Sequence, residues 1–178
     1  ETIGPKVGDE LKTSALQAIL IALGLVLIYI TFRFQWRQGI AAIITLLHDV
    51  MVVVGIFSIF DKEFTLPVIA ALLTVVGYSL NDTIVIFDRI RENISKFRKR
   101  ELLPLINQSV TETLSRTLLT SGTTLMVVLA LVFLGGEIIH DFAFALLVGV
   151  LIGTYSSIYV ASPTVLWLTK IAPPKTSD

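Results

Sequence analysis

Three ionisable residues lie inside long apolar stretches of the sequence, where a charged side chain is costly. His48 and Asp49 are adjacent in one stretch, and Asp82, preceded by Asn81, lies near the end of the next. A charge at the centre of a bilayer costs about 2.5 kcal/mol or more, so each of these residues needs a physical reason. A carboxyl group in such a position can bind and release a proton, which is the chemistry of a proton relay.

Two polar faces would surround Asp82 if these stretches are helices. Thr74 and Tyr78 precede Asp82 at intervals of four residues, and this spacing places the three side chains on one helical face. A later apolar stretch opens with Arg116 and carries several hydroxyl residues. The predicted supporting polar residues are Thr74, Tyr78, Asn81 and Thr120.

Arg116 is predicted to pair with Asp82. A nearby guanidinium favours the ionised carboxylate, whereas removal from water favours the neutral acid, and a carboxyl group between these influences can exchange a proton. Three alternatives remain open. Arg116 could simply anchor the membrane edge, Asp82 could be a structural residue bonded to a neighbouring hydroxyl, and His48 with Asp49 could form a buried pair that holds helices together.

The sequence predicts no metal site and no cofactor, with protons as the coupling ion. One His beside one Asp lacks the three or four convergent ligands that a metal site needs. The chain has no cysteine, which excludes thiolate ligands and disulfides. The formal net charge is zero, so nothing indicates a nucleic-acid partner.

The elements that must position these residues are transmembrane helices. Hydrophobic residues make up 54% of the 178-residue chain and charged residues only 16%, whereas a soluble domain has about 25% charged residues. The mean hydropathy is +0.82. Because a helix needs about 20 residues to cross the hydrocarbon core, the sequence predicts an all-α bundle with five spans at 14–32, 40–60, 66–87, 116–134 and 142–168.

The basic residues predict which ends of these spans are cytoplasmic. The connections after the first and third spans hold Arg33, Arg37, Arg89, Arg91, Lys96, Arg98, Lys99 and Arg100, whereas the others between spans hold only Lys62. Since positive loops stay inside, the N-terminus is predicted to be extracytoplasmic and the Pro173-Pro174 tail cytoplasmic. An odd number of spans in this orientation predicts a membrane-crossing or exported segment before Glu1.

Local patterns predict how the helices are shaped and packed. Segment 88–115 is polar with apolar residues on one helical face, which predicts a cytoplasmic amphipathic helix along the membrane surface. Gly149 and Gly153 form a GxxxG pattern, which indicates close helix contact. The pair Ser162-Pro163 predicts a bend in the fifth span, because proline removes a backbone donor.

Three runs of the sequence resemble the SecF subunits of the bacterial SecD/SecF protein-export complex. They are GYSLNDTIVIFDRIREN at 77–93, LHDV at 47–50 and TLSRTLLTS at 113–121. The likeness extends over essentially the whole chain, from GPKVG at 4–8 to the final span. It implies membership of the resistance-nodulation-division superfamily, and a bundle that forms one half of a pseudo-symmetric transporter whose other half is SecD.

The resemblance also implies a function. Such subunits use the proton-motive force at the bacterial inner membrane to help pull preproteins out of the Sec translocon, and Asp82 and Arg116 match the family's intramembrane carboxylate and its cationic partner. The implied partners are SecD, the translocon channel, the preprotein and the lipid bilayer. A complete family member has a first span and a periplasmic domain that would precede Glu1.

Three rival interpretations were weighed. A proton-driven exporter of small molecules or lipids from the same superfamily would share the buried carboxylates, but the run from Ser79 to Asn93 argues against it. A scaffold that only stabilises a translocon would use the buried charges for packing. Two membrane aspartates also suggest an intramembrane aspartyl protease, but the GxGD setting is absent at Asp82, so the sequence predicts no enzyme.

Overall fold

Six α-helices and one π-helical turn make up nearly all of the described chain. The structure is a computed structural model that describes residues 5–33, 35–97 and 101–171. The helices are α1 (Pro5–Arg33), α2 (Trp36–Ile59), α3 (Leu66–Lys96), α4 (Leu102–Leu134), α5 (Glu137–Ser156) and α6 (Ser162–Ile171), with the π-helical turn Ser157–Ala161 between α5 and α6. These residues contain no strand, and the predicted all-α fold is confirmed. The Pro173-Pro174 tail and the basic residues Arg98, Lys99 and Arg100 lie outside the described residues.

Four stretches of the described chain are long and apolar enough to cross a membrane. They are Trp36–Ile59, Leu66–Lys96, Leu102–Leu134 and Glu137–Ile171, and α1 adds a shorter apolar stretch, Leu20–Ile30. In α4 only 17% of the apolar window is buried within the bundle. Apolar surface of this extent needs lipid or another helix against it, so the chain is a multi-pass membrane protein. The five predicted span boundaries remain predictions.

The central helix of the bundle is α5, which packs against α2, α3 and α4. Two glycines make this approach close. A Cβ atom at Gly149 would overlap the side chain of Val75, and one at Gly153 would lie 3.0 Å from the Cβ of Ser79. The prediction that the GxxxG pattern marks a close helix contact is confirmed, and the contact is with α3.

Two apolar clusters fill the interior, and a layer of polar side chains lies between them. One cluster includes Leu46, Leu80 and Ile106, and the other includes Val53 and Val128. On α2, Asp49 falls between Leu46 of the first cluster and Val53 of the second, and on α4, Ser121 falls between Ile106 and Val128. We define the polar layer as Asp49, Ser79, Asp82, Ser121, Thr154 and Ser156.

The segment 88–115, predicted as an amphipathic helix along the membrane surface, is not one helix among the described residues, and its location relative to the membrane stays a prediction. Instead, α3 continues without a break to Lys96 and α4 begins at Leu102, so the segment forms the adjoining ends of two long helices. The reason is burial, because Ile90 and Ile106 both pack into an apolar cluster of the bundle. Ile94 on the predicted apolar face is 41% exposed.

A network of polar side chains joins these ends of α3 and α4, and we call it the hairpin network. The buried Asn93 donates through Nδ2 to Ser109 Oγ and Glu112 Oε2, each at 2.9 Å. Arg89 contacts both Glu92 and Glu112, and Lys96 contacts Glu92. The polar residues of the segment therefore pair two helices with each other. The periodicity of one helix cannot show whether its polar face contacts a neighbouring helix or lies along a membrane surface.

The helix after Glu137 is interrupted before Pro163, where the sequence predicted a bend. The backbone changes to a π-helical turn over Ser157–Ala161 before α6 begins. Proline at 163 donates no backbone hydrogen bond, and Ser162 Oγ instead donates to the carbonyl of Ser157 at 3.3 Å. The missing backbone donor of Pro163, from which a bend was predicted, here accompanies a change from α-helix to π-helix.

Ion pairs close the two ends of the bundle. At one end Arg33, at the end of α1, pairs with Asp88 of α3 at 3.1 Å. We call this the basic end, because Arg37, Arg89 and Arg91 also lie here. At the opposite end Lys62 pairs with Asp141 and lies 5.1 Å from the centre of the Phe144 ring.

Replacement of Gly149 by alanine tests the close contact between α3 and α5. We expect Gly149→Ala to lower the free energy of unfolding by about 1–3 kcal/mol, because the added methyl group overlaps Val75 in a packed interior. The measurement is thermal unfolding of the purified full-length protein. Gly55→Ala is the control, since nothing lies within 4 Å of a Cβ at Gly55, and its stability should be unchanged or raised. Equal effects of the two changes would contradict the contact.

Candidate functional site: a polar layer between helices

Asp49 is a buried carboxylate held by donors from two other helices. Its side chain is 1% exposed. Ser79 Oγ of α3 donates to Oδ2, and Ser156 Oγ of α5 donates to the same oxygen at 2.8 Å. His48 Nδ1 lies 3.0 Å from Oδ1. Asp49 therefore ties together α2, α3 and α5, and both of its oxygens have partners.

Asp82 is as deeply buried but has fewer partners. It is 3% exposed, and Ser121 Oγ of α4 donates to its Oδ2 at 3.3 Å. Ser121 in turn accepts a hydrogen bond at 2.7 Å from Thr154 Oγ1 of α5. A carboxylate offers about four acceptor positions, so Asp82 keeps capacity to bind a proton or a water molecule.

The two carboxylates are neighbours in the polar layer but do not share a hydrogen bond among the described residues. Ser79, which binds Asp49, lies three residues before Asp82 on α3 and therefore on the same side of that helix. On α5, Thr154 donates to Ser121, which is the donor to Asp82, and Ser156 donates to Asp49 directly. The sequence left open whether Asp49 and Asp82 meet, and the structure gives them separate donors.

Arg116 does not form the predicted ion pair with Asp82. It is exposed on α4, and no described carboxylate lies within 4.0 Å of it. It lies five residues before Ser121, the residue that donates to Asp82. Thr117 lies between Arg116 and Ser121 on α4, is 1% exposed, and its Oγ1 has no hydrogen-bond partner among the described residues. A buried hydroxyl of this kind is a natural contact for a water molecule.

A cleft of about 340 Å³ opens at the basic end between α3 and α4. Its lining includes Val85, Asp88, Thr113 and Arg116. Val85 lies one helical turn beyond Asp82, and Thr113 lies one turn before Thr117. Polar groups therefore continue from this cleft through Thr117 to Ser121 and the polar layer.

The four supporting residues predicted from the sequence have different positions. Tyr78 donates to Thr124 Oγ1 of α4 at 3.2 Å, beside the polar layer. Thr74 and Asn81 are exposed, and Thr74 donates to the backbone carbonyl of Ala70. Thr120 donates to the carbonyl of Arg116. None of the four donates to Asp82 among the described contacts.

Ser79, Thr154 and Ser156 are the members of the polar layer that the sequence interpretation missed. Ser79 is three residues from Asp82, and Ser156 is three residues from Gly153 of the GxxxG pattern. A spacing of three residues places two residues on the same helical face, and this spacing could have identified Ser79 and Ser156. The described residues contain no group of three or more His, Cys, Asp or Glu side chains placed to bind a metal ion.

Removal of the Ser79 hydroxyl tests whether the Asp49 contacts hold the helices together. We expect Ser79→Ala to lower the free energy of unfolding by about 1 kcal/mol, because a donor to a buried carboxylate is lost while hydrogen bonds inside membranes contribute modestly. Thermal unfolding of the full-length protein measures the change. Thr74→Ala on the same helix is the control and should have little effect. A Ser79→Ala protein as stable as the wild type would contradict this role.

Comparisons with known proteins place the chain in a family. The family model for the C-terminal region of the protein export membrane proteins SecD and SecF matches residues 1–171. The SecF translocase subunit of Desulfurispirillum indicum is 58% identical over 165 residues, which are 91% of this chain and 52% of that protein. The SecDF translocase subunit of Thermus thermophilus is 53% identical over 93% of this chain and 23% of that protein.

A solved structure agrees with these sequence matches. The crystal structure of SecDF from Thermus thermophilus, described as a translocon-associated membrane protein, has a TM-score of 0.91 and 51% identity, and the match covers 94% of this chain and 23% of that one. The chain thus spans about half the length of the SecF relative and a quarter of SecDF. These findings confirm the resemblance seen in the sequence. The chain belongs to the SecD/SecF C-terminal family of protein export membrane proteins.

Proposed function

We propose that this chain is the proton-coupled membrane part of a protein-export subunit, and that Asp82 is the group that binds and releases the proton. The observation that carries the proposal is the unequal bonding of the two buried carboxylates. Among the described residues Asp82 has one donor, whereas Asp49 has two hydroxyl donors and the ring nitrogen Nδ1 of His48 beside it. A carboxylate whose acceptor sites are filled resists protonation, while one with free acceptor capacity can exchange a proton at lower cost.

Asp49 and His48 have a different role in this proposal. Asp49 holds α2, α3 and α5 in register around Asp82, and His48, whose side chain is 34% exposed, orients the carboxylate from the outer face of α2. In this proposal His48 and Asp49 form a pair that holds helices together and do not carry the proton. Proton handling then depends on Asp82, with Ser121 and Thr154 as the hydroxyl groups that reach it.

Protons leave Asp82 toward the basic end by way of the cleft between α3 and α4. Arg116 lines this cleft, and its positive charge favours the ionised form of Asp82 without a direct ion pair. Thr117 Oγ1, which has no partner in the described part of the chain, supports a water molecule between the cleft and Ser121. Loss and gain of the proton would change the attraction between α3 and the α4–α5 pair.

The partners and location follow from the relatives. In the Thermus protein SecD and SecF are one chain, which supports a SecD partner packed against the exposed apolar surface of this bundle. The proposed location is the bacterial inner membrane, with the basic end in the cytoplasm. The translocon channel and a preprotein are the proposed binding partner and substrate of the whole subunit, and the proposed activity is transport and not enzymatic catalysis.

Replacement of Asp82 by asparagine tests the proposal. Asp82→Asn keeps the side-chain shape but cannot titrate, so we expect loss of the part of preprotein export that depends on the proton gradient, while export driven without a gradient persists. The measurement is export into membrane vesicles that carry the full complex at matched expression. Asp61→Asn, in the exposed turn at the opposite end, is the matched control and should retain the gradient-dependent part.

Unchanged gradient-dependent export in the Asp82→Asn complex would overturn the proton role. It would favour instead a scaffold in which buried charges serve packing. Assembly of the variant complex, measured by co-purification of the partner subunit, separates this outcome from a failure to fold.

Arg116 provides a second prediction. If Arg116 acts through its charge and not through a paired geometry, Arg116→Lys should retain most of the gradient-dependent export. Arg116→Gln should reduce that export about tenfold or more, because a lost interaction of about 1.4 kcal/mol corresponds to a factor of ten. The same vesicle measurement applies. Equal loss in both variants would indicate a direct, geometrically specific contact with the guanidinium.

A further inference from the structure

A separate cavity of about 360 Å³ lies at the basic end, away from the polar layer. It is formed by the start of α2, the end of α3 and the end of α6, with Arg37 and Arg91 in its lining and an apolar wall that includes Ile94 and Val165. The described residues that line it include no Asp or Glu. The cavity is therefore positively charged on one side and apolar on the other.

The two arginines lack the acidic partners that their neighbours have. Arg33, Arg89 and Lys96 each contact a carboxylate within 4.0 Å. Arg37 and Arg91 have no such contact with any described carboxylate, and Arg37 only lies over the ring of Trp36, at 5.0 Å. Guanidinium groups without a carboxylate are suited to bind phosphate oxygens through paired hydrogen bonds.

Buried polar atoms in the same lining also lack partners. Gln38 is 5% exposed, and its Nε2 donates to the carbonyl of Phe87 at 3.4 Å, while its Oε1 has no donor among the described residues. The buried Nε of Arg37 likewise has no acceptor there. One atom therefore needs an acceptor and the other a donor, and a phosphate group with an attached hydroxyl or ammonium supplies both.

The start of α2 adds to the attraction for an anion. The helix begins at Trp36 and has 24 residues, and the side chain of Gln35 does not cap it. Its first backbone N–H groups lack helical partners and carry the positive end of the helix dipole. Trp36 and Trp167 are both more than half exposed near the cavity, as expected for tryptophans at the level of lipid headgroups.

We propose that this cavity binds a phosphate group, with Arg37 and Arg91 on its oxygens and Gln38 on an attached hydroxyl or ammonium. The apolar wall favours a phospholipid headgroup over free phosphate as the source. A bound headgroup would connect α2, α3 and α6, the elements that surround the cavity.

The experiment measures lipid and phosphate binding by the full-length complex. Native mass spectrometry counts phosphatidylglycerol molecules retained in titrations with that lipid, and a separate titration with inorganic phosphate uses delipidated complex in neutral detergent. The test variants are Arg37→Gln and Arg91→Gln. Lys170→Gln is the control, because it removes a basic residue from the same end without changing the cavity lining.

We expect each arginine variant to bind phosphatidylglycerol about tenfold more weakly, as for loss of a charge-assisted hydrogen bond, and the control to bind as the wild type does. Arg91→Lys keeps the charge and should lose less, which separates a binding defect from misfolding. Arginine-dependent binding of inorganic phosphate without lipid retention would assign the site to free phosphate. Binding of both probes unchanged in both arginine variants would overturn the proposal.

Discussion

A carboxylate removed from water must be hydrogen-bonded, and this constraint governs the arrangement of the bundle. Asp49 lies in an apolar helix where an unpaired charge would cost several kcal/mol. Its partners are Ser79 and Ser156, which belong to two other helices. Serine is short, so α3 and α5 have to approach closely for these hydroxyl groups to reach one oxygen. The absence of a side chain at Gly149 and Gly153 makes that approach sterically feasible.

The same layer gives two identical functional groups different chemical character. Asp49 is surrounded by donors, and Asp82 has one donor and a polar route toward the cleft at the basic end. In a medium of low dielectric constant, the number of hydrogen bonds decides how readily a carboxyl group exchanges its proton. A change in the protonation of Asp82 would also alter the hydrogen bond that Thr154 of α5 donates to Ser121. Thr154 lies just before the helix changes to its π-helical turn. Such turns often occur at functional sites in helices.

The basic end combines ion pairs with unpaired arginines. The hairpin network and the Arg33–Asp88 pair neutralise most of its charge, and Arg37, Arg91 and Arg116 remain without carboxylate partners among the described residues. Two of these line one cavity and the third lines another. The residual charge is thus located in openings of the structure, where it can act on a proton path or on an anionic group.

The sequence by itself determined the all-helical membrane class and the family, and it identified Asp49 and Asp82 as ionisable residues inside apolar helices. These conclusions depend on local properties, because the length of an apolar run and the cost of a buried charge can be read along one chain. Helical periodicity also located the GxxxG contact, although it did not identify α3 as the partner helix.

Only the tertiary structure decided which polar residues meet. Thr74 shares a spacing with Asp82 yet is exposed, while Ser79, off that spacing, binds Asp49. Segment 88–115 has the amphipathic pattern of a surface helix, but Asn93 pairs with Ser109 across a hairpin. Arg116 lies near Asp82 without touching it. The physical reason is that a hydrogen bond between helices depends on their rotation and separation, which are set by the packing of all the helices together and not by the periodicity of any one.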